Sequence, residues 1–245
     1  MTQRTWLITG ASRGFGAEIA KAVLAAGDRL IATARNHNDL QQFATSKDVL
    51  TLSMDVTDEN QVKVAIATSL EKFGQIDVLV NNAGFGLLGA VEECSAEEVE
   101  SVYRTNVFGL LNVIRAVLPS MRQHGSGHII NMSSIGGYRS SPGWGIYGST
   151  KFAVEGITEA LHGELAPLGI HATVVEPGYF RTGFLDNSSL RPSAVQIPDY
   201  AQTVGKIRDV AAELNYQQPG DPTKLAPAIL QIVNTDEPPL RLPLG

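Results

Sequence analysis

Thiol chemistry is nearly absent from this 245-residue sequence: Cys94 is its only cysteine, so no internal disulfide can form and a zinc site built on thiolates is excluded. Such usage suits a reducing compartment, and a cytoplasmic protein is expected. A cationic face is missing too. The 19 Lys and Arg stand against 25 Asp and Glu, a formal net charge of −6, so there is no basic footprint and no nucleic-acid partner is expected. No apolar run reaches the length of a membrane span or a signal-peptide core, and neither export nor a membrane span is expected. The histidines, His37, His124, His128, His162 and His171, include no close pair at metal-ligand spacing, and no metal site is expected. Glu92, Glu93, Glu97, Glu98 and Glu100 read as a solvated, acid-rich helix start rather than as paired catalytic acids. Glycine and proline gather into no linker and no repeat is visible, so one domain over residues 1–245 is expected.

What is present is an alternation. Short runs rich in Val, Ile, Leu and Thr predict strands at Trp6–Thr9, Arg29–Ala34, Val49–Asp55, Val78–Asn81, His128–Ser133, Ala172–Glu176 and Leu240–Leu242. Between them, segments of helical period predict helices at Phe15–Ala26, Asn60–Phe73, Glu97–Met121, Tyr147–Ala166 and Pro222–Val233. Strands separated by helical crossovers imply an α/β protein with a doubly wound, Rossmann-type parallel sheet of six to seven strands. Residues 179–200 break this rhythm, and a substrate lid is expected there.

The first strand runs into Thr9-Gly10-Ala-Ser12-Arg13-Gly14-Phe15-Gly16 and then a helix. Gly10 permits a tight turn, Gly14 a close backbone approach to a pyrophosphate, and Gly16 close packing of helix on strand; free amides at the helix start favour phosphates. A phosphate-binding P-loop would need a Gly-Lys-Ser/Thr ending, which is absent. At the end of the second strand, Ala34-Arg35-Asn36 offers no carboxylate for a ribose 2′-hydroxyl, whereas Arg35, with Arg13 opposite, can pair with a 2′-phosphate. NADP(H) is therefore expected in preference to NAD(H).

The Gly-x-x-x-Gly-x-Gly spacing, with motifs that agree in order through Thr182, resembles the short-chain dehydrogenase/reductase family over about three quarters of the chain. That resemblance implies that Asp55, followed by Val56, accepts from the adenine amino group, and that Asn81-Asn82-Ala83-Gly84 runs beside the adenine ribose. It implies too that Pro177-Gly178-Tyr179-Phe180-Arg181-Thr182 holds the nicotinamide carboxamide through backbone near Phe180 and the Thr182 hydroxyl.

Tyr147 and Lys151 lie four residues apart, on one face of a helix, where an ammonium would favour the phenolate and lower the tyrosine pKa toward working pH. Any helix can carry such a pair by chance. The family resemblance adds Ser134, thirteen residues before Tyr147, as the group that bonds the substrate oxygen, while Ser133 points into or behind the sheet. It adds Asn106, holding a water that links Lys151 to solvent, and gives Lys151 the nicotinamide ribose hydroxyls. The implied reaction is hydride transfer between cofactor and a carbonyl or alcohol, with Tyr147 as acid/base. A non-catalytic NADP(H)-binding regulator, and an epimerase or dehydratase with tightly held nucleotide, are the alternatives on the same fold. Phe85, Ile135, Trp144, Tyr179, Phe184 and Leu185 flank the motifs, predicting an apolar substrate pocket with Ser134 and a lipophilic carbonyl compound. Sequences of this kind often continue past the last strand, whereas this one stops at Pro243-Leu244-Gly245; a homo-oligomer, dimer or tetramer, is expected.

Overall fold

Thr5–Thr9 forms the first strand, β1, and all five residues are buried, as suits an apolar run covered on both faces. The computed structural model describes residues 3–43 and 46–245. Helix α1 (Gly14–Ala25) returns to β2 (Arg29–Ala34); β3 (Val49–Ser53), α2 (Glu59–Phe73) and β4 (Val78–Asn81) follow. Then come a short β5 (Gly86–Leu88) and α3 (Ala96–Tyr103), which passes through a π-helical turn at Arg104–Gly109 into α4 (Leu110–His124). β6 (Gly127–Met132), the one-turn α5 (Ile135–Tyr138), the long α6 (Gly145–Leu165) and β7 (Ile170–Pro177) lead into an excursion holding β8 (Leu190–Pro192) and α7 (Lys206–Leu214). Helix α8 (Pro222–Val233) and β9 (Arg241–Leu244) complete the order.

Seven strands form one parallel sheet in the order β3-β2-β1-β4-β6-β7-β9, a Rossmann-type doubly wound fold with helices on both faces. Side-chain alternation divides the core. Trp6 and Ile8 join Ile19, Val23 and Ile229 under α1 and α8, whereas Leu7 joins Ile66, Val113 and Val154 under α2, α4 and α6. The strand order reverses at β1 and β4, so the crevice for a ligand opens beyond their carboxyl ends.

Three expectations change. β3 stops at Ser53, before Asp55, because the Asp55 carboxylate accepts from Thr57 N and Oγ1 and bends the chain. The single helix expected at Glu97–Met121 is two helices joined by the π-helical turn. The excursion after β7 runs well past Tyr200, and α7 within it packs Ile207, Ala211 and Leu214 on Leu88, Leu185 and Leu190.

The acid-rich segment before α3 is also less solvated than expected. The Glu93 side chain is fully buried: it pairs with Arg208 of α7 and accepts N–H bonds from Ala90 at 2.7 Å and Ile197 at 2.8 Å. Burial alone would raise the Glu93 carboxyl, but those N–H bonds and the Arg208 guanidinium outweigh it and hold the carboxyl below its usual range. Glu98 closes a capping box with Ser95 and accepts from Ala194 N, and Glu92 accepts from the Tyr200 hydroxyl. These carboxylates fasten the excursion to the body; Glu97 and Glu100 stay exposed. Among the described residues, no helix is long and apolar enough to cross a membrane.

Candidate active site

The turn after β1 has the geometry that its glycines predict. Gly10 and Gly14 lie at φ 64° and 55°, backbone that side chains other than glycine's seldom adopt. A Cβ on Gly16 would run into the Gly10 carbonyl oxygen and come within 2.6 Å of Asn82 Nδ2, so the third glycine is required by contact with the turn itself. No side chain caps α1, and its first-turn amides face a cleft of about 1170 Å³. That cradle suits a pyrophosphate, and a dinucleotide fits the residues present. Thr9 is buried behind it, its hydroxyl accepting from Asn82 N and Ala83 N at 3.0 Å.

Ser12, Arg13, Gly14, Phe15, Arg35, Asn36, Asp55, Val56, Asn82, Ala83 and Gly84 all line this cleft. Arg35 is exposed at the end of β2 with no acid in Ala34-Arg35-Asn36, although Asp39, which accepts from Asn36 Nδ2, also borders the cleft. The Arg13 guanidinium reaches the excursion, donating to Ser188 O at 2.7 Å and Ser189 Oγ at 3.0 Å. Asp55 uses one oxygen locally, and the cap of α2 is Asp58, so Asp55 is not the helix-capping aspartate of this loop. Asn81 Nδ2 donates to Asn131 across β4 and β6, and Asn82 Nδ2 donates to Thr9 O and Gly10 O, so the amides tie neighbouring strands together.

At the far end of the cleft the predicted catalytic groups come together. Ser134 follows β6 in extended backbone and its Oγ accepts from Gly136 N at 3.1 Å, while Ser133 is turned inward with a buried, unpartnered Oγ. Tyr147 is 6% exposed, between Trp144 and Phe184 at centroid distances of 5.8 and 5.5 Å. Burial raises the Tyr147 phenol well above its ordinary pKa, and the bond with Ser134 opposes that rise. The expected lowering by Lys151 is not met in this structure. Lys151 Nζ lies over the Tyr147 ring, 5.7 Å from its centroid, and donates to Met132 O at 2.8 Å. Burial takes Lys151 itself down to about 8, with the Glu155 charge opposing.

Asn106 sits in the π-helical turn, buried, its amide accepting from Phe85 N and donating to Phe85 O and Thr150 Oγ1. Its side chain braces the backbone beside the cleft against α6; it does not bond Lys151. Pro177, Gly178, Phe180 and Thr182 line the cleft where β7 ends, with Phe15 and Phe180 edge to face at 5.3 Å; Thr182 Oγ1 accepts from Phe184 N. Phe85, Ile135, Trp144, Tyr179, Phe184 and Leu185 line it as well. Motif reading missed Arg191, whose guanidinium lies 4.3 Å from the Phe85 ring centroid, as well as Tyr216 and Gln218 from the far side of the excursion. Only the apolar period of α7 could have pointed to that segment.

Known proteins agree with this geometry. The family model described as short chain dehydrogenase matches residues 4–192. Oxidoreductase BOA17 of Botryotinia fuckeliana is 40% identical over 99% of this chain and 89% of its own length. The 3-ketodihydrosphingosine reductase of Bacteroides thetaiotaomicron is 40% identical over 98% of this chain and 87% of its own. A short-chain dehydrogenase structure from Streptomyces avermitilis superposes with TM-score 0.92 at 42% identity, covering 100% of this chain and 89% of that one. Two more distant structures hold different cofactors. A serine dehydrogenase (TM-score 0.84, 29% identity, covering 98% of this chain and 94% of its own) is complexed with NADP+. A Burkholderia phymatum short-chain dehydrogenase/reductase (TM-score 0.86, 26% identity, covering 98% and 88%) is complexed with NAD. Sequence motifs, sheet order and relatives thus converge, and the chain belongs to the short-chain dehydrogenase/reductase family of oxidoreductases.

Proposed function

We propose that this chain interconverts a lipophilic ketone or aldehyde and its alcohol with NADP(H) as the preferred cofactor. The observation that carries the reading is one continuous cleft, with the Gly10–Gly16 cradle and Arg35 toward one end and Ser134, Tyr147 and Lys151 at the other. The cofactor supplies the hydride. Tyr147, kept protonated by burial, donates its phenolic proton to the substrate oxygen during reduction, and Ser134 Oγ polarises that oxygen. Lys151 supplies the positive charge that steadies the phenolate left behind and binds the nicotinamide ribose. Asn106 holds the Phe85 backbone beside these groups and supports the proton path that the family resemblance implies.

Arg35 at the mouth of the adenosine end, with no carboxylate on the adjoining strand end, favours a 2′-phosphate, and Arg13 joins it on releasing Ser188 and Ser189. The aromatic wall of Phe85, Trp144, Tyr179 and Phe184 favours an apolar substrate, and the likeness to a 3-ketodihydrosphingosine reductase supports a long-chain ketone. The excursion after β7 serves as the lid of this one-domain enzyme. Exposed Phe108 and Phe152 support a homo-oligomer, and the single cysteine supports residence in the cytoplasm.

A panel of ketones and aldehydes of increasing chain length, followed by NADPH and NADH oxidation in parallel, tests substrate and cofactor together. Tyr147→Phe is expected to lower turnover by about 10²- to 10⁴-fold while NADPH affinity stays within a few-fold of the parent. Turnover unchanged by that substitution would overturn the mechanism.

A further inference from the structure

The ribbon of β5 and β8 has two unlike faces. Leu88 and Leu190 turn toward Leu185 and α7, and beside them packs Phe184, whose ring centroid is 5.5 Å from that of Tyr147. Leu87 pairs with Arg191, and by strand alternation these two share the opposite face with Phe85. A recess of about 610 Å³ lies between that face and α3, walled by Leu87 and Pro192. Phe85, Glu97, Ser101 and Arg191 border both this recess and the catalytic cleft, so the two are joined.

Arg191 is held there without being neutralised. Its guanidinium lies on the Phe85 ring, 4.3 Å from the centroid, and one nitrogen donates to Ser101 Oγ at 3.4 Å. Phe85 is itself fixed, because Asn106 bonds both its N and its O. The acids of α3 are close at hand, yet among the described residues none pairs with Arg191. Glu100 pairs with Arg104, Glu98 accepts from Ser95 N and Ala194 N, and Glu97 stays exposed. A stacked guanidinium keeps most of its planar donor fork, which matches a carboxylate, and the stack has already ordered it. An apolar wall beside the phenol and an oriented cation at the edge of the same cleft together suit an amphiphile.

We propose that Arg191 binds a carboxylate of the substrate, so that the compound reduced is a long-chain oxo acid with its ketone at Tyr147 and its acid end in the recess. The inference rests on the carbonyl chemistry proposed above, and one arm of its test requires no turnover.

Fatty acids of graded length carrying a methyl ketone at the far end, each beside its methyl ester, test the proposal through kcat/KM with NADPH. Once the chain is long enough to reach Arg191, the acid is expected to exceed the ester by about 10-fold, the lower end for a bond to a charged group because Arg191 is exposed. Arg191→Gln is expected to bring that ratio close to unity by raising KM for the acid. Arg191→Lys, which keeps the charge but not the planar fork, should retain part of the preference. Calorimetry with decanoate on the protein saturated with NADP+ reads the same contact without chemistry, and affinity is expected to fall by about 10-fold in Arg191→Gln. A ratio that Arg191→Gln leaves unmoved, or a preference for the corresponding oxo amine that Glu97→Gln abolishes, would overturn the proposal. Acid and ester reduced alike would defeat this inference and leave the proposed function standing. Decanoate binding that depends on Arg191 in a protein that reduces no carbonyl would keep the carboxylate site and defeat the proposed function instead.

Discussion

Gly16→Ala is the smallest change that tests whether the nucleotide cradle is as tightly built as its geometry indicates. The added Cβ would press on the Gly10 carbonyl oxygen, well inside the roughly 3.3 Å at which carbon and carbonyl oxygen ordinarily meet. It would also lie 2.6 Å from Asn82 Nδ2 and 3.0 Å from the Gly10 carbonyl carbon. Neither neighbour can retreat freely, because Gly10 is held at φ 64° and Asn82 Nδ2 donates to Thr9 O and Gly10 O at 3.0 Å each. Overpacking of this kind costs about 1–3 kcal/mol, and losing both amide bonds adds about 2 kcal/mol, a total of about 3–5 kcal/mol. At about 2–4 °C per kcal/mol for a chain of this size, the melting temperature should fall by about 6–20 °C. Urea denaturation and NADPH fluorescence titration would measure both stability and binding. Gly156→Ala is the control: that glycine is exposed in the middle of α6 with nothing within 4 Å of an added Cβ, so about 0.5–1 kcal/mol of stabilisation is expected. A Gly16→Ala protein that loses less than about 1 kcal/mol and binds NADPH normally would refute the reasoning.

Arg35→Ser should reduce kcat/KM for NADPH by about 10- to 100-fold, the loss of one charge-assisted bond to phosphate, and leave kcat/KM for NADH nearly unchanged; an unaltered ratio would remove Arg35 from cofactor choice. His128 is 5% exposed, bonded to Thr173 Oγ1 at 2.9 Å and packed on His171; burial, then the charges of His171 and Arg4, lowers it to about 3. A histidine lowered on folding takes up its proton only in the unfolded chain across that window, so stability present above about pH 6.5 declines as pH falls toward 3. About 2 kcal/mol should be lost by pH 5, and His128→Gln should flatten that part of a denaturation-against-pH curve. An equally steep curve in the variant would assign the acid sensitivity to other groups.

The parallel sheet was legible because buried strands such as Trp6-Leu-Ile8 carry apolar residues on both faces, a pattern that survives without any tertiary knowledge. The glycine turn was legible because fixed glycine spacing after a strand translates into a turn and a helix start; helical spacing put Tyr147 and Lys151 on one face, and Ser134 was added only through the family resemblance. What escaped was set by long-range pairing. Glu93 resembles its acidic neighbours in sequence, and only Arg208, over a hundred residues later, makes it a buried anchor. The direction of the Tyr147 shift escaped for a similar reason: helical spacing puts Lys151 on the correct face but does not reveal that its Nζ turns to Met132 or that burial outweighs its charge.

Counted residue by residue, the π-helical turn between α3 and α4 is an α-helix holding one residue too many. Each residue advances an α-helix by about 100°, so the rod beyond the turn is rotated by that amount against the rod before it. Asn106 leaves the backbone inside this dislocation, toward Phe85 and Thr150, in a direction that neither regular helix supplies. Removing one residue from the turn, rather than replacing Asn106, is therefore the change that would take away the direction in which that side chain points. Such a deletion would turn Val113, Ile114 and Val117 of α4, all buried in the core, by about 100° against the partners they now meet.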